Sequence, residues 1–248
     1  MSYQTIIQQG QHKQAPLRAD RFAKMTDRLD QCDLPNEAWK PLLGNGYLQT
    51  WKGILLNKGV TEIATYPMLL HELQPKTVIE IGALNGGGAI WLADHLELFG
   101  IDSAVYSIDI DLSLLDPQAK VDKRVQFLQG DCNKISAAFP PDMLSGLLHP
   151  WLIIEDAHIN LTGVLDYFHH NGLTPGDYLI VEDTNKIHWQ LWQDEWDDRE
   201  EMEQGSRKMD DLRHWISQYE NDYLVDTYYQ DMYGYNGSKN WNSILKRV

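Results

Sequence analysis

KTVIEIGALNGGGAIWLAD, residues 76–94, decides the fold. KTVIEIG (76–82) is rich in β-branched residues and reads as a strand. GAIWLADHLELFG (88–100) has helical spacing and closes on a glycine, as helix C-termini often do. Between them lies a turn containing Gly82, Gly86 and Gly87. A backbone without Cβ atoms lets a ligand come close there, beside a helix N-terminus. The turn is not the dinucleotide fingerprint, because the G-x-G-x-x-G spacing counted from Gly82 fails at Leu84.

Working outward, four more apolar runs follow: AVYSIDID (104–111), VQFLQGD (125–131), WLIIED (151–156) and DYLIVED (177–183). LTGVLDYFHHNGL (161–173), between the last two, has helical spacing. Strands alternating with helices predict a doubly wound α/β fold with a mostly parallel sheet. Near-continuous apolar runs such as WLII and YLIV are those of strands buried on both faces. The C-terminal segments YLVDTYYQDMYG and NSILKRV, joined by a turn-rich loop containing Asn236-Gly237, predict an antiparallel strand pair at the sheet edge.

Upstream, residues 1–60 read as an N-terminal helical cap and 61–248 as one domain. Segment 186–222 reads as a helical insertion. Its Trp189, Trp192 and Trp196 stand at i, i+3 and i+7, on one helical face among dense acids. That face either packs on the core or forms a lid over a pocket, and both can hold at once. It could equally bury itself in a neighbouring subunit of a homo-oligomer.

The 248 residues carry 21 Lys plus Arg against 36 Asp plus Glu, a formal net charge of −15. Nucleic acid and anionic membrane surfaces are therefore disfavoured partners, since phosphate neutralisation needs clustered cations. The first twenty residues lack the apolar core of a signal peptide. Two cysteines, Cys32 and Cys132, give neither a disulfide framework nor a zinc motif. A reduced, cytoplasmic protein is the expectation.

The acids cluster by position. Glu80, Asp109, Asp131, Asp156 and the Glu182-Asp183 pair each lie in or at the end of one of the first five strands. Ligands of open α/β sheets bind at those ends. An isolated Asp at a strand end is as well a helix cap or turn former; five strands alike point to a site. An acidic lining suits a cationic cofactor carrying a ribose, such as S-adenosylmethionine, better than a diphosphate. The two acidic dipeptides, Glu155-Asp156 and Glu182-Asp183, end neighbouring strands about 4.8 Å apart, which can converge on one divalent cation. Side chains alternate along a strand, so Glu155 and Asp156 face opposite ways, with Asp156 the better ligand. Glu182 and Asp183 both serve only if the chain turns there.

VIEIGALNGGGAIWLAD, YSIDID, VQFLQGD, IIEDAH and GDYLIVEDTN, in this order, resemble the cephalosporin hydroxylase family. Despite its label, that family consists of class I S-adenosylmethionine-dependent methyltransferases, close to rhamnosyl and macrolide-sugar O-methyltransferases. The resemblance runs from about Thr50 to Asn185 and returns in MYGYNGSKNWNSILKRV. It implies a seven-stranded Rossmann-like sheet whose last strand is antiparallel. It implies a cofactor over Gly82 and its turn, with Glu80 and Gly82 beside the methionine part, Asp109 on the ribose and Asp131 near the adenine. Ala83, Asn85, Gly86, Ile110, Cys132 and Asp156 complete the expected cofactor contacts. It also implies a divalent metal, usually Mg2+ with Mn2+ or Fe2+ as alternatives, held by Asp156, Glu182 and Asp183.

Related metal-dependent enzymes such as catechol O-methyltransferase carry a basic Lys three residues after the first metal Asp; here Ile159 stands there. His158 is a possible substitute, or simply a hydrogen-bond partner of the acids. His188 is a candidate pocket wall, as are Tyr233, Tyr235 and Trp241. The expected activity is methyl transfer to a hydroxyl of a small natural product, sugar or polyketide-type acceptor. A carbon acceptor and a non-catalytic partner subunit remain as alternatives.

Overall fold

The computed structural model describes residues 1–12, 20–192 and 197–248. In chain order its strands are β1 (Phe22–Ala23), β2 (Thr50–Trp51), β3 (Ile54–Leu55), β4 (Thr77–Ile81) and β5 (Ala104–Asp109). They continue with β6 (Val125–Gln129), β7 (Trp151–Glu155), β8 (Tyr178–Val181), β9 (Tyr223–Asp226) and β10 (Ile244–Arg247). The helices begin with α1 (Tyr3–His12), α2 (Asn36–Gly44), α3 (Val60–Leu73) and α4 (Gly87–Leu98). Three short ones follow, α5 (Pro117–Val121), α6 (Ile135–Ala138) and α7 (Pro141–Leu144). The rest are α8 (Leu161–Asn171), α9 (Lys186–Trp192), α10 (Arg199–Gln218) and α11 (Thr227–Gln230).

The main sheet has eight strands in the order β1-β9-β10-β8-β7-β4-β5-β6. β4 through β8 are parallel neighbours, and β10 runs antiparallel to both β8 and β9. The expected seven strands and antiparallel last strand are present, with one strand more. β1, from the segment expected to be a helical cap, pairs antiparallel with β9. The terminal pair thus lies inside the edge, not on it. A two-residue strand has no periodicity to read. Its anchor is Arg21, buried and forked onto both Asp226 oxygens at 2.8 and 2.6 Å.

The period of two along each strand sorts the core into two layers. Ile79 and Ile81 of β4, Trp151 and Ile153 of β7, and Leu179 and Val181 of β8 pack with α8 and α10. Val78, Leu152, Ile154, Tyr178 and Ile180 pack on the other face with α3 and α4. That alternation continues to the strand ends and there separates the acids, which is what positions the site.

Segment 186–222 is two helices rather than one. α9 ends at Trp192 and α10 starts at Arg199 under an N-cap, with Asp198 Oδ1 accepting from Glu201 N at 3.0 Å. Trp196 lies outside the described residues. Among the described residues no helix is long and apolar enough to cross a membrane.

Candidate active site

A cavity of about 530 Å³ opens at the C-terminal ends of the parallel strands. One end is lined by Gly82, Leu84, Asp109, Ile110, Asp131 and Cys132. At Gly82 the backbone is left-handed, φ +104°, and a Cβ there would stand 2.6 Å from the Asp156 carbonyl oxygen. The glycine is therefore needed for β4 to pass close to the end of β7. Asp109 accepts N–H bonds from Leu84 at 2.8 Å and Asp111 at 3.1 Å, which holds the turn against β5. Asp131 caps the following turn through Asn133 N at 2.8 Å. Burial pushes the Cys132 thiol up to about 12, so it is a neutral wall at physiological pH.

Not every residue expected around the cofactor faces this cavity. Glu80 is buried on the α4 side, accepts from Ser107 Oγ at 2.6 Å, and is pushed up to about 7 by burial, with Lys58 opposing. Ala83, Asn85 and Gly86 form the turn behind the cavity wall; a Cβ on Gly86 would meet Ala119, Phe127 and Leu115.

The other end of the cavity is lined by Tyr47, Lys58, Asp156, His158, Asp183, His188, Trp189, Met202 and Lys239. Alternation along β7 sends Glu155 to the α10 side, where it pairs with Lys208 at 2.8 Å. Asp156 faces the other way and meets Lys58 Nζ at 2.9 Å. Along β8 the same alternation puts Glu182 on the α3 side. There its Oε1 accepts from Lys58 at 2.8 Å and from Tyr66 Oη at 2.9 Å. Asp183 would point to α10 if the strand stayed regular. Instead it has φ +59°, so the chain has left the extended conformation, and its carboxylate turns to the cavity.

Oxygen atoms of Asp156 and Asp183 and a ring nitrogen of His158 all lie within 4.8 Å of one another. Glu182 is outside this compact group, separated from it by the Lys58 and Lys239 ammoniums. Its Oε2 and Asp183 Oδ1 are buried oxygens that accept no hydrogen bond among the described residues, with Lys239 Nζ at 3.3 and 3.0 Å. Burial pushes the Asp183 carboxyl up, but the facing Lys239 ammonium opposes it and the carboxyl is held well below the usual range. Burial pushes the His158 imidazole well below its ordinary value, and Lys208 adds to the effect. Five carboxylates (Glu80, Glu155, Asp156, Glu182 and Asp183) therefore face three ammoniums (Lys58, Lys208 and Lys239). This excess of anionic oxygen, with two buried oxygens that meet the Lys239 ammonium but accept no hydrogen bond among the described residues, fits a hard divalent cation.

Tyr233, Tyr235 and Trp241 do not line the cavity; Trp241 is buried in the core. Lys58, Tyr66, Lys208 and Lys239 escaped the sequence reading. Lys208 alone carried a readable signal: it shares the spacing of Gly205, Met209, Leu212 and Trp215, the buried face of α10.

The family model for rhamnosyl O-methyltransferase/CmcI matches residues 45–248. Rhamnosyl O-methyltransferases of Mycobacterium tuberculosis are 32% identical over 140 residues, 55% of this chain and 57% of theirs. The Mycobacterium leprae enzyme is 34% identical over 140 residues, 55% of this chain and 60% of its own. The match thus spans little more than half the length of these relatives. A CmcI structure with Mg and SAM superposes with TM-score 0.64 at 28% identity, covering 94% of this chain and 93% of that one. An apo CmcI structure gives 0.63 at 25% identity, covering 100% and 96%. With the sheet order and the cavity already in place, the match over 45–248 makes this chain a member of the rhamnosyl O-methyltransferase/CmcI family.

Proposed function

We propose that the chain is a divalent-metal-dependent O-methyltransferase that transfers the S-adenosylmethionine methyl group to a hydroxyl of a small, sugar-like acceptor. The observation that carries this reading is the single cavity lining: strand-end residues Gly82, Asp109 and Asp131 at one end, Asp156 and Asp183 at the other. The first end would hold the cofactor, with the Asp109 carboxylate beside the ribose hydroxyls. Asp156 and Asp183 in the compact group, and Glu182 through Oε2, would hold the ion. When bound, such an ion lowers the pKa of a coordinated hydroxyl so that it ionises near neutral pH.

The chain's own residues do the positioning. Lys58 and Lys239 are the cations that face the site's acids: although burial pulls both lysines down, the facing carboxylates raise them above the ordinary value. Trp189, whose Nε1 donates to the Asp183 carbonyl at 2.7 Å, fixes the turn that aims Asp183. Tyr47, His188 and Met202 bound the acceptor side and would orient a ring beside the methyl group. Methyl transfer breaks the sulfonium S–CH3 bond, leaves the electron pair on sulfur and forms the O–CH3 bond.

The test is calorimetric titration with S-adenosylhomocysteine, with and without magnesium, followed by methyl transfer to a panel of hydroxylated sugars and polyketides. Binding with turnover that needs magnesium supports the reading. No binding of S-adenosylhomocysteine under either condition would falsify it.

A further inference from the structure

Lys208 of α10 reaches into the site from the far side of the sheet. Its side chain is 1% exposed, pairs with the fully buried Glu155 at 2.8 Å and stands 2.9 Å from His158 Nδ1. An ammonium has three donors and no acceptor, so at that contact Nδ1 must accept. A neutral imidazole that accepts at Nδ1 carries its hydrogen on Nε2. On the other side of the ring Nε2 stands 3.5 Å from Asp183 Oδ2 and 3.8 Å from Asp156 Oδ1, beyond ordinary hydrogen-bond length, so the assignment rests on the Lys208 contact. We infer that Lys208 is a positioning residue that locks His158 as the Nε2–H tautomer, a donor toward the two aspartates.

The lock is built by packing as well as charge. Trp189 stands edge-on against the His158 ring at 5.0 Å between centroids. α10 can press on that indole because residue 205 is glycine; a Cβ there would lie 2.2 Å from the Trp189 ring. Three residues further along the same helix comes Lys208. Glu155 holds its ammonium in place and is itself fixed by Ala157 N at 3.1 Å. A Lys–Glu pair this deep keeps both charges, because losing either strands the other.

Two consequences follow for the site. With hydrogen on Nε2, His158 offers neither a lone pair to a cation nor a basic nitrogen to a hydroxyl on that side. Ligation therefore falls to carboxylate oxygens, with the imidazole presenting Nε2–H toward Asp156 and Asp183 from outside the ligand set.

The inference deepens the methyltransferase reading and rests on it for its effect on turnover, but its first readout needs neither cofactor nor acceptor. Protein labelled with 15N-histidine is measured by long-range proton–nitrogen NMR, and the His158 signal is identified among the nine histidines by its loss in His158→Gln. The expected pattern is Nε2–H alone, unchanged when magnesium is added and kept in Lys208→Arg. In Lys208→Met the single tautomer is lost, and kcat falls about 10- to 100-fold with the KM for S-adenosylmethionine little changed. An Nδ1–H or doubly protonated ring in the wild type, or a switch to Nδ1–H on adding magnesium, overturns it. If Lys208→Met does not fold, the wild-type and magnesium spectra still decide. The expected tautomer in a protein that transfers no methyl group would sink the function and leave the tautomer assignment standing.

Discussion

At the end of β7, Glu155 lies toward α10 and Lys208 while Asp156 lies toward Lys58; at the end of β8 it is Glu182 that lies on the Lys58 side. The two Glu-Asp dipeptides sit on adjacent strands in register, Glu155 opposite Val181, one residue out of step. The same alternation therefore deals their members to opposite faces. Both glutamates end fully buried, each against a lysine, and both aspartates end in the cavity wall. Sequence identity alone would give the two pairs the same role. The offset buries each Glu against a lysine in its own layer, Glu155 on Lys208 away from the cavity and Glu182 on Lys58 beside Asp156, and leaves the two Asp carboxylates to meet. They meet only because Asp183 leaves the strand conformation.

The largest effect should separate Asp from Glu within one pair. Asp156→Asn should lower turnover about a thousandfold or more, about 4 kcal/mol of barrier. S-adenosylhomocysteine affinity, read by calorimetry, should stay within a few-fold. Glu155→Gln should instead act on stability, since it strands the buried Lys208 charge. Equal losses of turnover in two well-folded variants would erase the distinction between the members.

Lys58 tests the other half of the comparison, because it bridges Asp156 and Glu182 across the two strands. Lys58→Met leaves both carboxylates facing each other, at a cost of about 3 kcal/mol in urea unfolding. Magnesium should restore part of that loss, since a cation that binds only the folded carboxylates stabilises by mass action. Equal magnesium stabilisation of variant and wild type would mean that lysine and ion do not share those carboxylates.

How much of this was legible follows from how far each signal reaches along the chain. The strand–turn–helix at 76–94 and the apolar runs WLII and YLIV depend on neighbours a few residues away, so the parallel core could be read directly. The strand-end acids could be read too, because the fold places those ends together. Lys58 could not, since it meets Glu182 across 124 residues; the burial of Lys208 could be read from the α10 spacing, but not its contact with His158 across 50 residues. Ile159, standing where related enzymes carry a basic Lys, puts a lysine base in doubt. The structure places Lys58 beside Asp156 from an unrelated part of the chain.

Glu62 of α3 offers a contrast to the lysine-paired glutamates. Its Oε1 accepts no hydrogen bond among the described residues, and burial pushes its carboxyl up to about 7. The native state then holds a proton that the unfolded chain has released above about pH 4.5. Stability attached to this group is present below that pH and is lost as pH rises through about 7. Glu62→Gln, always neutral, should flatten the stability profile across that window and gain about 2 kcal/mol at pH 8 in urea unfolding. An unchanged slope would show that Glu62 is already ionised in the fold, compensated by Lys239.

The smallest effect is expected at Asp198, the N-cap of α10, which also lines the cavity. Asp198→Ala removes the bond to Glu201 N and should cost about 1 kcal/mol. Lys208 lies ten residues further on, buried against Glu155, so fraying of the first turn should stop short of it. Amide exchange should quicken in the first turn of α10 alone, while the His158 nitrogen spectrum stays as in the wild type. If the tautomer moves as well, the grip of Lys208 on His158 depends on the whole helix. The β7 pair would then be less independent of the cavity mouth than its burial implies.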